Sequence, residues 1–169
     1  LANEMFLDSA SLRSSVVSHA KMLGYEVASP RAPIATINVS LTTSQALATM
    51  PAGTTFTTSV DGVSYQFVTI ADVTKQNTGN AIPFDSTEVY EGTYATTKYL
   101  VDSSDVDQRF MLTDVRADTS TLTVRVQNST TDTTTTTYTK ATDITQLSSS
   151  STVYYLQETE SGKFEIYRS

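Results

Sequence analysis

The chain has 169 residues, 38% hydrophobic and 17% charged, with a net charge of −7 and no cysteine. That size suits one domain, or one domain plus a fragment, and buries enough surface to fold without a covalent staple. The missing cysteines exclude a disulfide framework, a thiolate metal site and a cysteine nucleophile. The acidic balance argues against nucleic acid, whose binding needs a basic footprint.

No apolar run approaches the ~18 residues of a membrane-spanning helix, and the N-terminus has neither the basic start nor the apolar core of a signal peptide. The chain begins at Leu1, inside sequence that reads as helical, so a piece of a longer protein or a processed end is expected. Thr and Ser make up for the low charge, and β-branched Thr suits a half-buried sheet surface.

Residues 4–7 read as the tail of a preceding helix. Leu12, Val16, Ala20 and Leu23 then recur at helical spacing, with Val17 beside them. Ser9 or Ser11 can cap the start, and Gly24 stands where a left-handed C-cap would sit. The spacing predicts a helix over 11–23. After Gly24 the period changes to two. Ile37, Val39 and Leu41 share one face of a strand over 34–41. Pro51-Ala-Gly53 signals a turn, and strands over 54–60 and 63–70 flank Asp61-Gly62, the favoured two-residue hairpin turn.

Further strands are predicted over 88–101, 109–113, 122–127, 135–141, 153–158 and 164–168. The last two form a second hairpin around Gly162. The Thr-rich segment 128–137 reads as an exposed hairpin arm, because Thr favours extended backbone. Many short strands with polar turns imply a sandwich or distorted barrel and not alternating β-α units.

The inventory of chemistry is sparse. His19 is the only histidine and lies on the helix beside Val16 and Leu23, so it reads as a packing or interface residue and not as a catalytic base. Asp102, Asp105 and Asp107 lack the glycine and terminal glutamate of a calcium loop and read as a solvated turn. In a strand, Glu88 and Glu91 would point to opposite faces, which disfavours a hydrolytic pair. Asn38-Val-Ser40 and Asn128-Ser-Thr130 match the N-glycosylation pattern, as chance allows in a Ser/Thr-rich chain. No catalytic residue, cofactor-binding residue or metal ligand is expected.

Five segments carry a resemblance. Ser9 to Val17, with its Leu-Arg-Ser-Ser-Val-Val run, continues through His19 to Leu23-Gly24-Tyr25. Ser151 to Gly162, followed by Phe164-Glu-Ile-Tyr167, forms a Tyr-rich hairpin. Between them stand Met50-Pro-Ala-Gly-Thr-Thr-Phe56, Val89-Tyr-Glu-Gly92 and Arg109-Phe-Met-Leu112. In this order they resemble the baseplate wedge protein of T-even-type contractile-tail phages and the broader baseplate J-like family. A Phe-Gly-Asp/Glu-Gly turn would be expected where the sequence stops at Arg168-Ser169, and helices would precede Leu1, so the resemblance implies an internal fragment.

The resemblance implies a structural subunit of the tail baseplate in the virion, assembled in the host cytoplasm. Its partners would be other wedge subunits and copies of itself, with no enzyme activity and no small-molecule substrate. The expected fold is mainly β (α+β), with a helical segment at 1–24 packed on an antiparallel β-sandwich or distorted barrel over 25–169. Leu12, Val16, Val17, Ala20 and Leu23 are expected to bury against that domain or against a partner, flanked by Arg13 and His19 as polar interface contacts. The alternative function is a carbohydrate-binding or adhesin-like β-sandwich module, for which the Tyr-rich strands would form the platform.

Overall fold

The computed structural model describes residues 11–23, 25, 27–105, 107–141 and 151–167. The predicted helix tail at 4–7, Ser9 and Gly24 lie outside them. The fold is mainly β with one α-helix among the described residues, built on curled, largely antiparallel sheets. The chain divides into two compact units, Arg31–Thr97 and a second made from Leu1–Pro30 together with Lys98–Ser169. The boundaries therefore fall near 30 and 97 and not at 24/25, and the helix shares a unit with the C-terminal strands.

The unit Arg31–Thr97 holds β1 (Ile34–Thr42), β2 (Leu47–Met50), β3 (Thr55–Val60), β4 (Val63–Val68), β5 (Val73–Gln76) and β6 (Ala81–Glu91). Four of them form a sheet in the order β1-β6-β4-β3, and β2 and β5 form a separate antiparallel ribbon. The β3–β4 hairpin closes through Asp61 (φ 51°) and Gly62 (φ 80°). Positive φ at both central residues is what a type I′ turn demands, and its twist matches that of the strands. At the Pro51–Thr54 turn Gly53 has φ 81°, and a Cβ there would come within 3.3 Å of the Tyr94 ring. Any larger residue would therefore be strained and crowded.

The core of this unit depends on a parity change in β6. Ile82 and Phe84 are buried, Asp85 and Ser86 are both exposed, and Thr87 and Val89 are buried again. Strict alternation would have turned Ser86 and Glu88 inward. Instead the register with β1 slips between Ile37↔Thr87 and Val39↔Phe84, so two residues of β6 oppose Asn38. This is a β-bulge, and it keeps the apolar residues of both halves of β6 on one face. Ser86 takes the left-handed conformation at φ 53°. Its amide, displaced from the ladder, donates to Asn38 Oδ1 at 2.8 Å. Ile82, Phe84 and Met50 then pack with Val39, Ala48, Phe56 and Val73. Full burial of Ile82 and Val89 stabilises the fold by about 1.5–3 kcal/mol each.

The other unit holds α1 (Arg13–Met22), β7 (Arg109–Met111), β8 (Val124–Gln127), β9 (Thr135–Lys140), β10 (Val153–Glu158) and β11 (Phe164–Tyr167). The sheet order is β7-β11-β10-β9-β8. Antiparallel hairpins join β8 to β9 and β10 to β11, whereas β9 meets β10 in parallel. The antiparallel expectation is corrected at that one junction. Arg109 stacks 4.7 Å above the Tyr167 ring and reaches Glu165 at 2.5 Å, while Tyr155 stacks on Tyr167 at 5.1 Å. These cross-strand contacts knit the sheet and use two of the Tyr residues. Buried Ser29 accepts from the Thr119 amide at 2.9 Å and so ties the segment after the helix to this unit.

Several predicted boundaries shift. The helix covers Arg13–Met22, and Leu12 is its N-cap without a side-chain cap bond, so Ser11 does not fill that role. The strand predicted over 88–101 begins at Ala81 and ends at Glu91, because the bulge breaks the alternation that would have revealed its first half. The Thr-rich arm does form a hairpin. Its turn is closed by Asp132, which accepts from Asn128 Nδ2 and from the Thr134 amide, both at 2.9 Å.

Two predictions follow from these turns. Ser86→Val places a β-branched residue in left-handed backbone and lowers unfolding free energy by about 1–2 kcal/mol, whereas Ser86→Asn changes it by less than about 0.5 kcal/mol. Urea titrations followed by circular dichroism check this. The bonds from Asn128 and Thr134 hold the Asp132 carboxyl down at about 2, below its ordinary 3.8. Its contribution to the turn is therefore complete above pH ~4 and lost as pH falls through about 2. Carboxyl-carbon NMR of Asp132, with amide shifts of residues 128–134, reads both.

Candidate functional site

The interface candidates cluster on α1, and a buried acid decides how that helix is turned. Glu158 ends β10, just before the turn into β11, and its side chain is 2% exposed. A carboxylate so far from water needs charged donors. Arg13 supplies them as a fork, Nε to Oε1 at 3.0 Å and Nη2 to Oε2 at 3.1 Å. Such a two-point pairing fixes orientation as well as distance. Lys21 Nζ donates to the Glu158 backbone carbonyl at 2.7 Å. Arg13 and Lys21 lie eight residues apart, on one side of the helix. Both ends of α1 are thus held to the same residue of the sheet. At the C-terminal end the Tyr25 amide donates to the Ala20 carbonyl at 2.9 Å, the six-to-one bond of a Schellman ending.

This clamp turns the apolar stripe outward. Leu12 is 60% exposed, Leu23 62% and Val16 37%, while Val17, His19 and Ala20 are half-buried. No residue of α1 is fully buried. Of the two expected fates of the stripe, burial against the β domain or against a partner, the first does not hold for Leu12, Val16 and Leu23. The face committed to the sheet is the one carrying Arg13 and Lys21. Arg13 is a contact within the unit, through a fork that the sequence pattern could not show. Met22 and Tyr25, 73% and 70% exposed, add further apolar surface at the same end.

The other chemistry-bearing residues fall into turns and ladders. Asp102 accepts from the Ser104 hydroxyl and amide, which hold its carboxyl below the usual range. Asp105 accepts from the Asp107 amide. Among the described residues, no three His, Cys, Asp or Glu are grouped to hold a metal. Asn38 sits on a strand serving the bulge, and Asn128 sits in the exposed β8–β9 turn. No described helix is long and apolar enough to cross a membrane.

An open cleft of about 380 Å³ lies on the Arg31–Thr97 unit, lined by Thr69, Lys75, Asp85, Ser86, Glu88 and Tyr90 among others. The buried hydroxyls beneath it are already committed, Thr69 to the Pro51 carbonyl and Thr87 to that of Phe84. Glu88 accepts from the Tyr90 hydroxyl at 3.2 Å, and Glu91 is not part of the lining.

No protein-family model matches the chain, and no curated protein matches it at a significant level.

Glu158→Ala should release α1 without unfolding the strands. The Arg13 side chain is 64% exposed, so screening reduces the expected local loss to about 1–2 kcal/mol. Amide exchange at residues 16–23 should then rise about tenfold, while β10 and β11 stay protected.

Proposed function

We propose that this chain is a structural module that works by protein–protein assembly and not by catalysis, as part of a phage tail baseplate wedge in the virion. The observation that carries the reading is the apolar stripe of Leu12, Val16 and Leu23, left facing solvent on a helix held by an ion pair to a buried carboxylate. The clamp satisfies the buried Glu158 carboxylate, yet it leaves the apolar side of the helix in water. A partner that covers the stripe gains about 25 cal/mol for each Å² removed from water. The family likeness supplies the identity of the partners, which are other wedge subunits and copies of the same chain. Two of the segments that carry it coincide with the Pro51–Thr54 turn and the β10–β11 hairpin. No nucleic acid, membrane, cofactor or small-molecule substrate belongs to this reading.

A carbohydrate-binding module is the second reading, favoured by the cleft and the Tyr90 ring at its wall. Its volume lies within the usual range for small-ligand sites. The cleft and the helix belong to different units, so helix variants separate the two readings.

Leu12→Asp and Val16→Asp should each cut co-purification with the wedge subunits of the same tail about tenfold or more, equivalent to about 1.4 kcal/mol. Far-UV circular dichroism should keep its strand signal. Unchanged assembly in both variants would overturn the proposal.

A further inference from the structure

We infer that two copies of this chain pair through the free edge of β1, antiparallel about Asn38, and so join two four-stranded sheets into one. This goes beyond the helix-mediated assembly above and uses other residues. β1 ends the sheet order, with β6 as its one neighbour in that sheet.

The hydrogen bonds at its two ends set the phase of the ladder. The Glu91 amide donates to the Pro33 carbonyl at 2.9 Å, and the Thr43 amide to the Asn80 carbonyl at 3.2 Å. Odd-numbered residues of β1 therefore bond to β6. Ile34, Thr36, Asn38, Ser40 and Thr42 direct their amides and carbonyls to the open edge. Their side chains are exposed as well.

Proteins ordinarily blunt such an edge with lysine, proline, a bulge or short length. β1 has none of these. It runs for nine residues, Ile-Ala-Thr-Ile-Asn-Val-Ser-Leu-Thr, without one charge or proline, and the extra residue of the bulge belongs to β6. What can satisfy a row of backbone donors and acceptors is another extended strand.

The sequence of β1 fits itself. A two-fold axis at Asn38 sets Ile34 opposite Thr42, Thr36 opposite Ser40 and Asn38 opposite its own copy, all as hydrogen-bonded pairs. The outward groups then form about ten backbone hydrogen bonds. The intervening, closer pairs are Ala35 with Leu41 and Ile37 with Val39, so apolar residues meet apolar residues. Leu41, 45% exposed in the single chain, gains a neighbour. The whole chain carries −7, yet this strand brings no like charges opposite one another. The pairing is isologous and closes at two copies.

Sedimentation equilibrium on the full chain, at concentrations up to about 1 mM, tests this. The native chain should reach the mass of two chains. The T36K/S40K variant sets lysines opposite one another and should stay at one. Mixing it with T36E/S40E should restore the two-chain mass. The chain has no native cysteine, so oxidising a mixture of T36C and S40C single variants should give the mixed cross-link, and T36C alone should give none. The Leu12→Asp chain should keep the two-chain mass, since α1 takes no part. A native chain that remains single throughout, a T36K/S40K chain that still pairs, or a mass that climbs past two chains would each overturn the inference. The last outcome would point to β1 joining β3 of the next copy.

Discussion

Glu158 is a carboxylate that water barely reaches, at the end of a β-hairpin. Removing such a charge from water is costly unless charged donors surround it, and the donors it uses lie 145 positions earlier in the chain. That single requirement sets the attitude of α1. A flexible apolar contact could have let the helix roll. A forked guanidinium admits one orientation, and the lysine two turns later holds the other end against the same residue. The consequence for function is a matter of faces. With Arg13 and Lys21 committed to the sheet, Leu12, Val16 and Leu23 have to look outward.

In the unit Arg31–Thr97 a different constraint plays the equivalent part. One added residue in β6 turns the pleat over, so that Ile82 and Phe84 before it and Val89 after it are all buried on one face of the strand. Asn38 makes the arrangement tolerable by bonding the amide that the bulge displaces. Because the irregularity sits in β6, β1 stays straight in phase, and its outer edge keeps an unbroken run of donors and acceptors. Core packing on one side of β6 and an open edge on the far side of β1 are thus two results of where one residue was inserted.

What was legible in the sequence was local. Asp61-Gly62 announced its hairpin because few residue pairs accept positive φ twice. The β10–β11 hairpin followed from alternation around a Gly-containing turn, and the Thr-rich arm from the extended preference of Thr. The strands that escaped detection are those without local signals. β2 and β5 are four residues each and find one another across the whole β3–β4 hairpin. The first half of β6 was hidden because the bulge broke its period, and the strand predicted beyond Glu91 did not form.

The sequence by itself determined that this is a mainly β chain with an amphipathic helix near its start and neither thiol chemistry nor a run of metal ligands at recognisable spacing. Composition, period and turn residues are enough for that, since each acts over a few neighbouring positions. Tertiary structure alone decided which side of the helix is spent on the protein and which is left over. Periodicity says that an apolar stripe exists, but which way it faces depended on a buried acid far along the chain, whose charge is met by a cation on another side of the helix.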